Sequence, residues 1–383
     1  MSGFVLRKFL APELLYGVGA TDFAGQYAKN QGGGKVFVAT DPGIIESGLL
    51  EPVLMLLEKD RLDYVVFSDI RPNPTLSMVM EGARIFDEEE CELIIALGGG
   101  SPMDCAKAIG AVHANGLHAS EFFGVDRISL PCPPVICIPT TAGSAADVSQ
   151  FAIIKDEKTM VKNAIISKSI VPDISLTDPR NTLTMDRALT AATGLDALTH
   201  AIEAYVSRAS SAITDLHSLR AVRLVSEFLP KALGDLSNLD YRSGMTLASM
   251  HAGLAFSNAS LGVIHALSHS LGGLLDLPHG ECNSLLLSYG VKINYSAAPE
   301  RYARILDALA GERARSHDPL SELLARIADL REEAGIPGRL RELGLEEESI
   351  PTLAGTAAKD PCMLTNPLPL GPSDLEALLR DAF

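Results

Sequence analysis

Four short apolar runs, KVFVAT at 35–40, YVVFSD at 64–69, LIIALGGG at 93–100 and VICIPTT at 135–141, alternate with longer amphipathic segments such as 45–59 and 75–90. Runs of this kind suit strands buried on both faces, and the segments between them have the length and spacing of helices. Such alternation specifies an α/β architecture, a mostly parallel, doubly wound sheet. After VPDISLTDP at 171–179 the strand signal fades. From 183 onward the pattern is helix after helix, punctuated by ERARSHDP at 312–319 and by breaks near Gly335–Gly338 and Pro367–Pro372. The expected organisation is an α/β domain over 1–182 and an all-α domain over 183–383, and 383 residues exceed one typical core. No internal repeat or low-complexity segment interrupts it.

Charge narrows the partners. With 32 Lys and Arg against 48 Asp and Glu, the net charge is −16, and no basic block relieves it. Such a surface repels nucleic-acid phosphates and anionic membranes, so neither is an expected partner. The first twenty residues, MSGFVLRKFLAPELLYGVGA, do not read as a signal peptide, because Arg7, Lys8 and Glu13 break the apolar runs. The weakly charged stretch 243–275 carries Ser, Asn, His and several Gly, which reads as helices buried in protein rather than in lipid. Six cysteines without a CxxC pair read as reduced thiols, and the expected location is cytoplasmic.

Two loops suit a dinucleotide. LGGGSPMDCAKAIG at 97–110 places Gly98, Gly99, Gly100 and Ser101 between a strand and a helix. Backbone without Cβ atoms can approach a pyrophosphate there, and the helix N-terminus favours the anion. The plainer reading is a tight turn with Ser101 as helix cap. PTTAGSAADVS at 139–149 again follows a strand and clusters Thr140, Thr141 and Ser144, suited to phosphate or ribose contacts at the carboxyl edge of the sheet. Asp41, just after KVFVAT, could accept hydrogen bonds from an adenosine ribose and would repel a 2′-phosphate, favouring NAD over NADP. An Asp before Pro is equally ordinary turn chemistry.

Three of nine histidines, His265, His269 and His279, fall in GVIHALSHSLGGLLDLPHG at 262–280, a segment without Lys or Arg. On helices, His265 and His269 share a face, as do Asp196 and His200 in TGLDALTHAIEAY. Gly272, Gly273 and Pro278 let the chain return His279 toward the same region. One carboxylate with several imidazoles suits Fe(II), Zn or another late divalent ion. A lone histidine on an apolar helix is usually a satisfied core residue, but an Asp196 buried with no nearby Lys or Arg calls for a cation. His113, His118 and His317 read as surface residues, and His217 and His251 lie on helices without an obvious partner.

Taken together, GLDALTHAIEAY, SNASLGVIHALSHSLGG, LPHG, GGGSPMDCAK, TTAGSAADVSQF and KDPCMLTNP resemble, in the same order, segments of the iron-containing (group III) alcohol dehydrogenase family. The resemblance covers nearly the whole chain. It implies a dehydroquinate synthase-like fold, with a dinucleotide-binding α/β domain followed by a helical metal-binding and catalytic domain. By resemblance the metal ligands are Asp196, His200, His265 and His279, with His269 near the substrate. Dinucleotide contacts map to Asp41, Asn73, Gly98, Gly99, Gly100, Ser101, Thr140, Thr141, Ser144 and Lys162. Ser144 stands where Thr is usual and Asp147 where Glu is usual; both keep the functional group. The implied reaction is reversible, metal-dependent hydride transfer between a small neutral primary alcohol or diol and NAD. His269 would relay the hydroxyl proton, and the family commonly forms homodimers or larger homo-oligomers. Two alternatives share these residues: dehydroquinate synthase-like or glycerol-phosphate dehydrogenase chemistry, and a non-catalytic metal- or nucleotide-binding regulatory protein. A phosphorylated substrate needs cationic partners, and 243–291 contains no Lys or Arg.

Overall fold

A computed structural model describes residues 6–32, 34–311 and 317–383. The chain forms two compact units, Ala11–Thr184 and Met185–Phe383, with residues 6–10 grouped with the second.

In the first unit a six-stranded sheet has the order β1-β9-β6-β4-β2-β3. Its strands are β1 (Glu13–Tyr16), β2 (Lys35–Ala39), β3 (Asp63–Phe67), β4 (Leu93–Gly98), β6 (Val135–Pro139) and β9 (Ile174–Thr177). Every pairing is parallel. Because side chains alternate along a strand, the sheet sorts its residues between two cores. Phe37, Ala39, Ile94, Ala96, Val135 and Cys137 face α4 (Leu76–Glu88) and α5 (Gly100–Asn115). Val36, Val38, Leu93, Ile95, Ile136 and Ile138 face α1 (Ala24–Asn30), α2 (Pro42–Glu46) and α3 (Leu50–Lys59). The sheet is thus covered on both faces, as the apolar runs require. The segment 45–59, expected as one helix, is two, because the chain turns at Gly48 with φ 74°.

A second sheet escaped the sequence reading. In it β5 (Gly124–Val125), β8 (Val161–Ile166) and β7 (Phe151–Asp156) lie side by side, with β7 and β8 antiparallel. Their sequences, FAIIKD and VKNAII, mix apolar residues with lysines, so they lack the continuous apolar signature of the buried strands.

The second unit is helical among its described residues. Its helices are α6 (Arg187–Val206), α7 (Ala212–Gly234), α8 (Leu239–Ala259), α9 (Val263–Leu275), α10 (His279–Asn294), α11 (Pro299–Ala310), α12 (Pro319–Ala334), α13 (Ile350–Ala357) and α14 (Pro372–Ala382). Asp186, Ser211 and Asn238 cap α6, α7 and α8 by accepting backbone N–H groups, as their residue types favour. Of the loop expected at 312–319, residues 312–316 lie outside the described residues. No single described helix is long and apolar enough to cross a membrane; α8 and α9 together are, but they meet at a 102° bend.

Candidate metal centre and nucleotide loops

Helix α6 is buried along most of its length and carries Asp196 and His200 one turn apart. His265 lies in the first turn of α9, and His279 opens α10. One ligand atom from each of these four residues lies within 4.8 Å of all the others. A single atom marks where three of them, Asp196, His265 and His279, converge. Asn283 Nδ2 is 2.7 Å from Asp196 Oδ1, 3.0 Å from His265 Nε2 and 3.0 Å from His279 Nε2. Asn283 Oδ1 is buried and accepts no hydrogen bond from the described residues.

The His265 imidazole is prepared as a neutral ligand. Burial, with His200, His279 and His269 nearby, holds the His265 ring well below its ordinary pKa. Its Nδ1 lies 2.6 Å from Glu203 Oε2, leaving Nε2 toward Asp196 and His279. His279 turns its Nδ1 to Ser268 Oγ at 3.1 Å, again leaving Nε2 for the convergence point. The His200 ring stacks between Phe256 and His265, with centroids 4.4 and 4.5 Å away. One carboxylate and three convergent imidazoles in a buried site fit a late divalent ion, and a cation offsets the cost of burying Asp196.

His269 sits beside this cluster, stacked on His279 at 5.3 Å between centroids. Its Nδ1 lies 2.8 Å from Asp360 Oδ2, and the other carboxylate oxygen accepts from Cys362 N. Burial raises the Asp360 carboxyl, but the charge and hydrogen bond of His269, together with the hydrogen bonds from Cys362, hold the group below its ordinary value.

At the carboxyl ends of β2, β4 and β6, adjacent in the sheet, the structure gathers most of the nucleotide candidates. Gly98 ends β4 with φ 150°, a conformation that favours glycine. A Cβ there would stand 3.2 Å from Asp41 Oδ2, one on Gly99 3.2 Å from Thr141 Cγ2, and one on Gly100 3.1 Å from Ser144 Oγ. Thr140 N donates to Gly98 O at 2.9 Å. The N-cap of α5 is Gly99, with no side-chain cap, so Ser101 is not the capping residue. Asp41 does cap α2, accepting from Ile44 N at 3.1 Å through Oδ1. Burial raises its carboxyl despite bonds from the Ile44 and Gly43 backbone. Asn73, with φ 59°, lies in the loop after β3, which a bridge between Thr75 and Lys155 ties to β7. Lys162 is directly opposite Lys155 across the β7–β8 pair. Asn73 and Lys162 therefore share one flank of this unit.

Sequence reasoning missed the groups that support these sites. Lys107 is fully buried in α5 and donates to Ser149 O and Phe151 O, both at 2.9 Å, fixing the chain that follows the threonine loop. Asp147, which the sequence marked only as standing where Glu is usual, uses its buried carboxylate to accept from Ser175 Oγ at 2.7 Å and Thr177 Oγ1 at 3.3 Å, tying that loop to β9. Glu203 and Asn283 were also passed over. A signal was present: Glu203 follows His200 by three residues on an apolar helix, and Asn283 follows His279 by four. His217 and His251, which the sequence leaves without partners, pair with each other, Nδ1 to Nδ1 at 2.8 Å.

The family model described as "Iron-containing alcohol dehydrogenase" matches residues 11–179, and "Fe-containing alcohol dehydrogenase family, C-terminal" matches 190–383. The chain is 37% identical to the 1,3-propanediol dehydrogenase of Klebsiella pneumoniae, with 98% of each chain covered. It is 35% identical to the NAD-dependent methanol dehydrogenase of Bacillus methanolicus, covering 98% of this chain and 99% of that one. Among solved structures, a 1,3-propanediol oxidoreductase superposes with a TM-score of 0.95 at 36% identity, covering 99% and 100%.

Proposed function

The chain belongs to the iron-containing alcohol dehydrogenase family, and on that premise we propose that it moves a hydride reversibly between a small neutral primary alcohol or diol and NAD. The observation that carries this reading is the convergence of Asp196, His200, His265 and His279 within 4.8 Å, the set proposed to hold Fe(II), Zn or another divalent ion. When bound, that ion supplies a Lewis acid that favours ionisation of an alcohol at neutral pH. The 1,3-propanediol and methanol dehydrogenases to which the chain is similar support an alcohol or diol as substrate and, through the latter, NAD.

The chain's own residues supply the rest. Gly98, Gly99, Gly100, Ser101, Thr140, Thr141 and Ser144 are proposed to hold the pyrophosphate and nicotinamide side of NAD, with Asn73 and Lys162 contributing from the flank. Asp41 Oδ2, turned toward Gly98 while Oδ1 caps α2, supports a ribose contact and the preference for NAD. Donation of the His269 Nδ1 proton to Asp360 leaves Nε2 to exchange the hydroxyl proton. A neutral substrate is favoured because 243–291 holds no Lys or Arg, and the guanidinium just before it, Arg242, is buried on Leu236 O, Met185 O and Thr190 Oγ1. A cytoplasmic location is supported by six free thiols, and a homodimer or larger homo-oligomer completes the proposal.

The test is NADH formation over a panel of primary alcohols and diols, using metal-stripped protein with Fe(II) or Zn(II) restored anaerobically. Activity that returns only with metal, and with NAD in preference to NADP, is the expected result. Tight metal and NAD binding without turnover of any alcohol would overturn the reaction and leave the binding sites standing. Sedimentation of the holoenzyme reads the assembly.

A further inference from the structure

We propose that Glu203 is the positioning residue of the metal centre: its carboxylate fixes the tautomer and orientation of His265 and anchors α9. The inference rests on the reading that Asp196, His200, His265 and His279 hold a divalent ion. Glu203 is buried, with 3% of its surface exposed, and no lysine or arginine is among its hydrogen-bond partners. Its partners all come from the start of α9. Ile264 N donates to Oε1 at 2.7 Å, and Gly262 N and His265 N donate to Oε2 at 3.1 and 3.4 Å. The His265 ring adds Nδ1 at 2.6 Å from Oε2.

Both Glu203 oxygens already accept backbone N–H groups, so the His265 ring meets them with a proton on Nδ1 and presents a lone pair on Nε2. That is the nitrogen on the side of Asp196 and His279. A carboxylate behind a ligating imidazole orients the ring and raises its basicity.

The same carboxylate places the helix. Gly262, the N-cap of α9, offers no side-chain cap, so the cap comes from α6 instead. The remaining early donor, Val263 N, goes to Asn366 Oδ1 at 3.0 Å. A Cβ on Gly262 would stand 2.9 Å from Glu203 Oε1 and 2.7 Å from Asn366 Oδ1, so glycine is what admits both acceptors. Just before it, Ser260 takes φ 58° and ψ −169°, a backbone region almost confined to glycine. One helix, α6, therefore carries Asp196, His200 and the group that aims His265.

Glu203 and Asn366 both cap α9, but only Glu203 touches the His265 ring, and this separates a positioning role from a purely structural one. Co(II) serves as the probe, with three readouts: affinity by chelator competition, the visible absorption band of the bound ion, and the melting temperature of metal-free protein. E203Q keeps an acceptor but turns an amide toward Nδ1. It is expected to weaken Co(II) binding by about 10–100-fold and to shift the visible band, with E203D recovering part of the loss. Asn366→Ser is expected to lower the melting temperature while leaving Co(II) affinity at the wild-type level. Wild-type affinity in E203Q, or losses in both variants that merely follow their melting temperatures, overturns the proposal. Should D196A bind Co(II) as tightly as wild type, the metal centre itself fails, a distinct result. If E203Q does not fold, long-range 1H–15N spectra of histidine-labelled, Zn(II)-loaded wild-type protein decide the matter: a proton on His265 Nδ1 supports the proposal, and one on Nε2 overturns it.

Discussion

Asp196 and Glu203 lie two turns apart on α6, both buried, and the chain stabilises them by different means. Glu203 receives three backbone N–H groups and an imidazole, yet burial still pushes its carboxyl up to about 7. Asp196 accepts a bond from Asn283 Nδ2 and otherwise faces imidazole nitrogens, so a cation is the partner its chemistry calls for. Replacing His279 with Ala removes one of four donors and is expected to abolish both metal retention and turnover, measured as metal content and NADH formation on the same sample. His269→Ala should behave differently. Its metal content stays at the wild-type level while kcat falls by about 10²-fold or more and the pH–rate profile loses a limb, the signature of a lost proton relay. An unchanged profile would leave His269 only an orienting role. Helical spacing pairs Asp196 with His200 and His265 with His269, and a carboxylate without cations is conspicuous, but it was the family resemblance that put His279 in the proposed set and left His269 out. Glu203 broke the same rule, but its partners are backbone N–H groups sixty residues away, and no local pattern announces those.

At the scale of elements, the continuous apolar runs of strands covered on both faces made β2, β3, β4 and β6 legible. The β7–β8 pair has one lysine-bearing flank and was not. Helix α10 shows how an element's placement governs the site. A Cβ on Gly290 would run into Ile264 on α9, next to His265. Gly290→Ala is therefore expected to cost about 1–3 kcal/mol of stability, as overpacking does, and to weaken metal retention by shifting α9. Chemical denaturation and metal titration read the two effects. Helices α7 and α8 offer a pH test away from the metal. Burial, then the nearby His217 and Arg220, lower His251 to about 4, and burial also lowers His217, on which Phe9 stacks at 5.7 Å. A histidine whose folded pKa is depressed binds its proton more readily when unfolded, so folding is favoured above the unfolded value near 6.5 and progressively less below it. The melting temperature should fall from about pH 6.5 toward pH 4, and His251→Asn should flatten part of that fall. Equal slopes in both proteins would remove the pair from the account.

For the whole molecule, the change from strand–helix alternation to uninterrupted helix was visible along the chain, whereas the grouping of residues 6–10 with the helical unit was not. That grouping depends on non-local contacts: Asn258 exchanges hydrogen bonds with both Leu10 N and Leu10 O, 248 residues away. The two compact units separate the two proposed ligands, the metal on Met185–Phe383 and the nucleotide loops on Ala11–Thr184. A ligand that binds only the folded state stabilises it by mass action, about 2.7 kcal/mol at a hundredfold excess over Kd. Where a chain has more than one cooperative unit, that gain need not be shared evenly. Hydrogen exchange should therefore resolve the two ligands. Added Zn(II) is expected to slow exchange chiefly in α6, α9 and the first turns of α10. Added NAD is expected to slow it in the loops containing Gly98–Ser101 and Thr140–Ser144. Protection by Zn(II) that spread equally over both units would mean that they open together. Protection by NAD confined to the helical unit would contradict the nucleotide assignment, because none of the proposed dinucleotide contacts lies there.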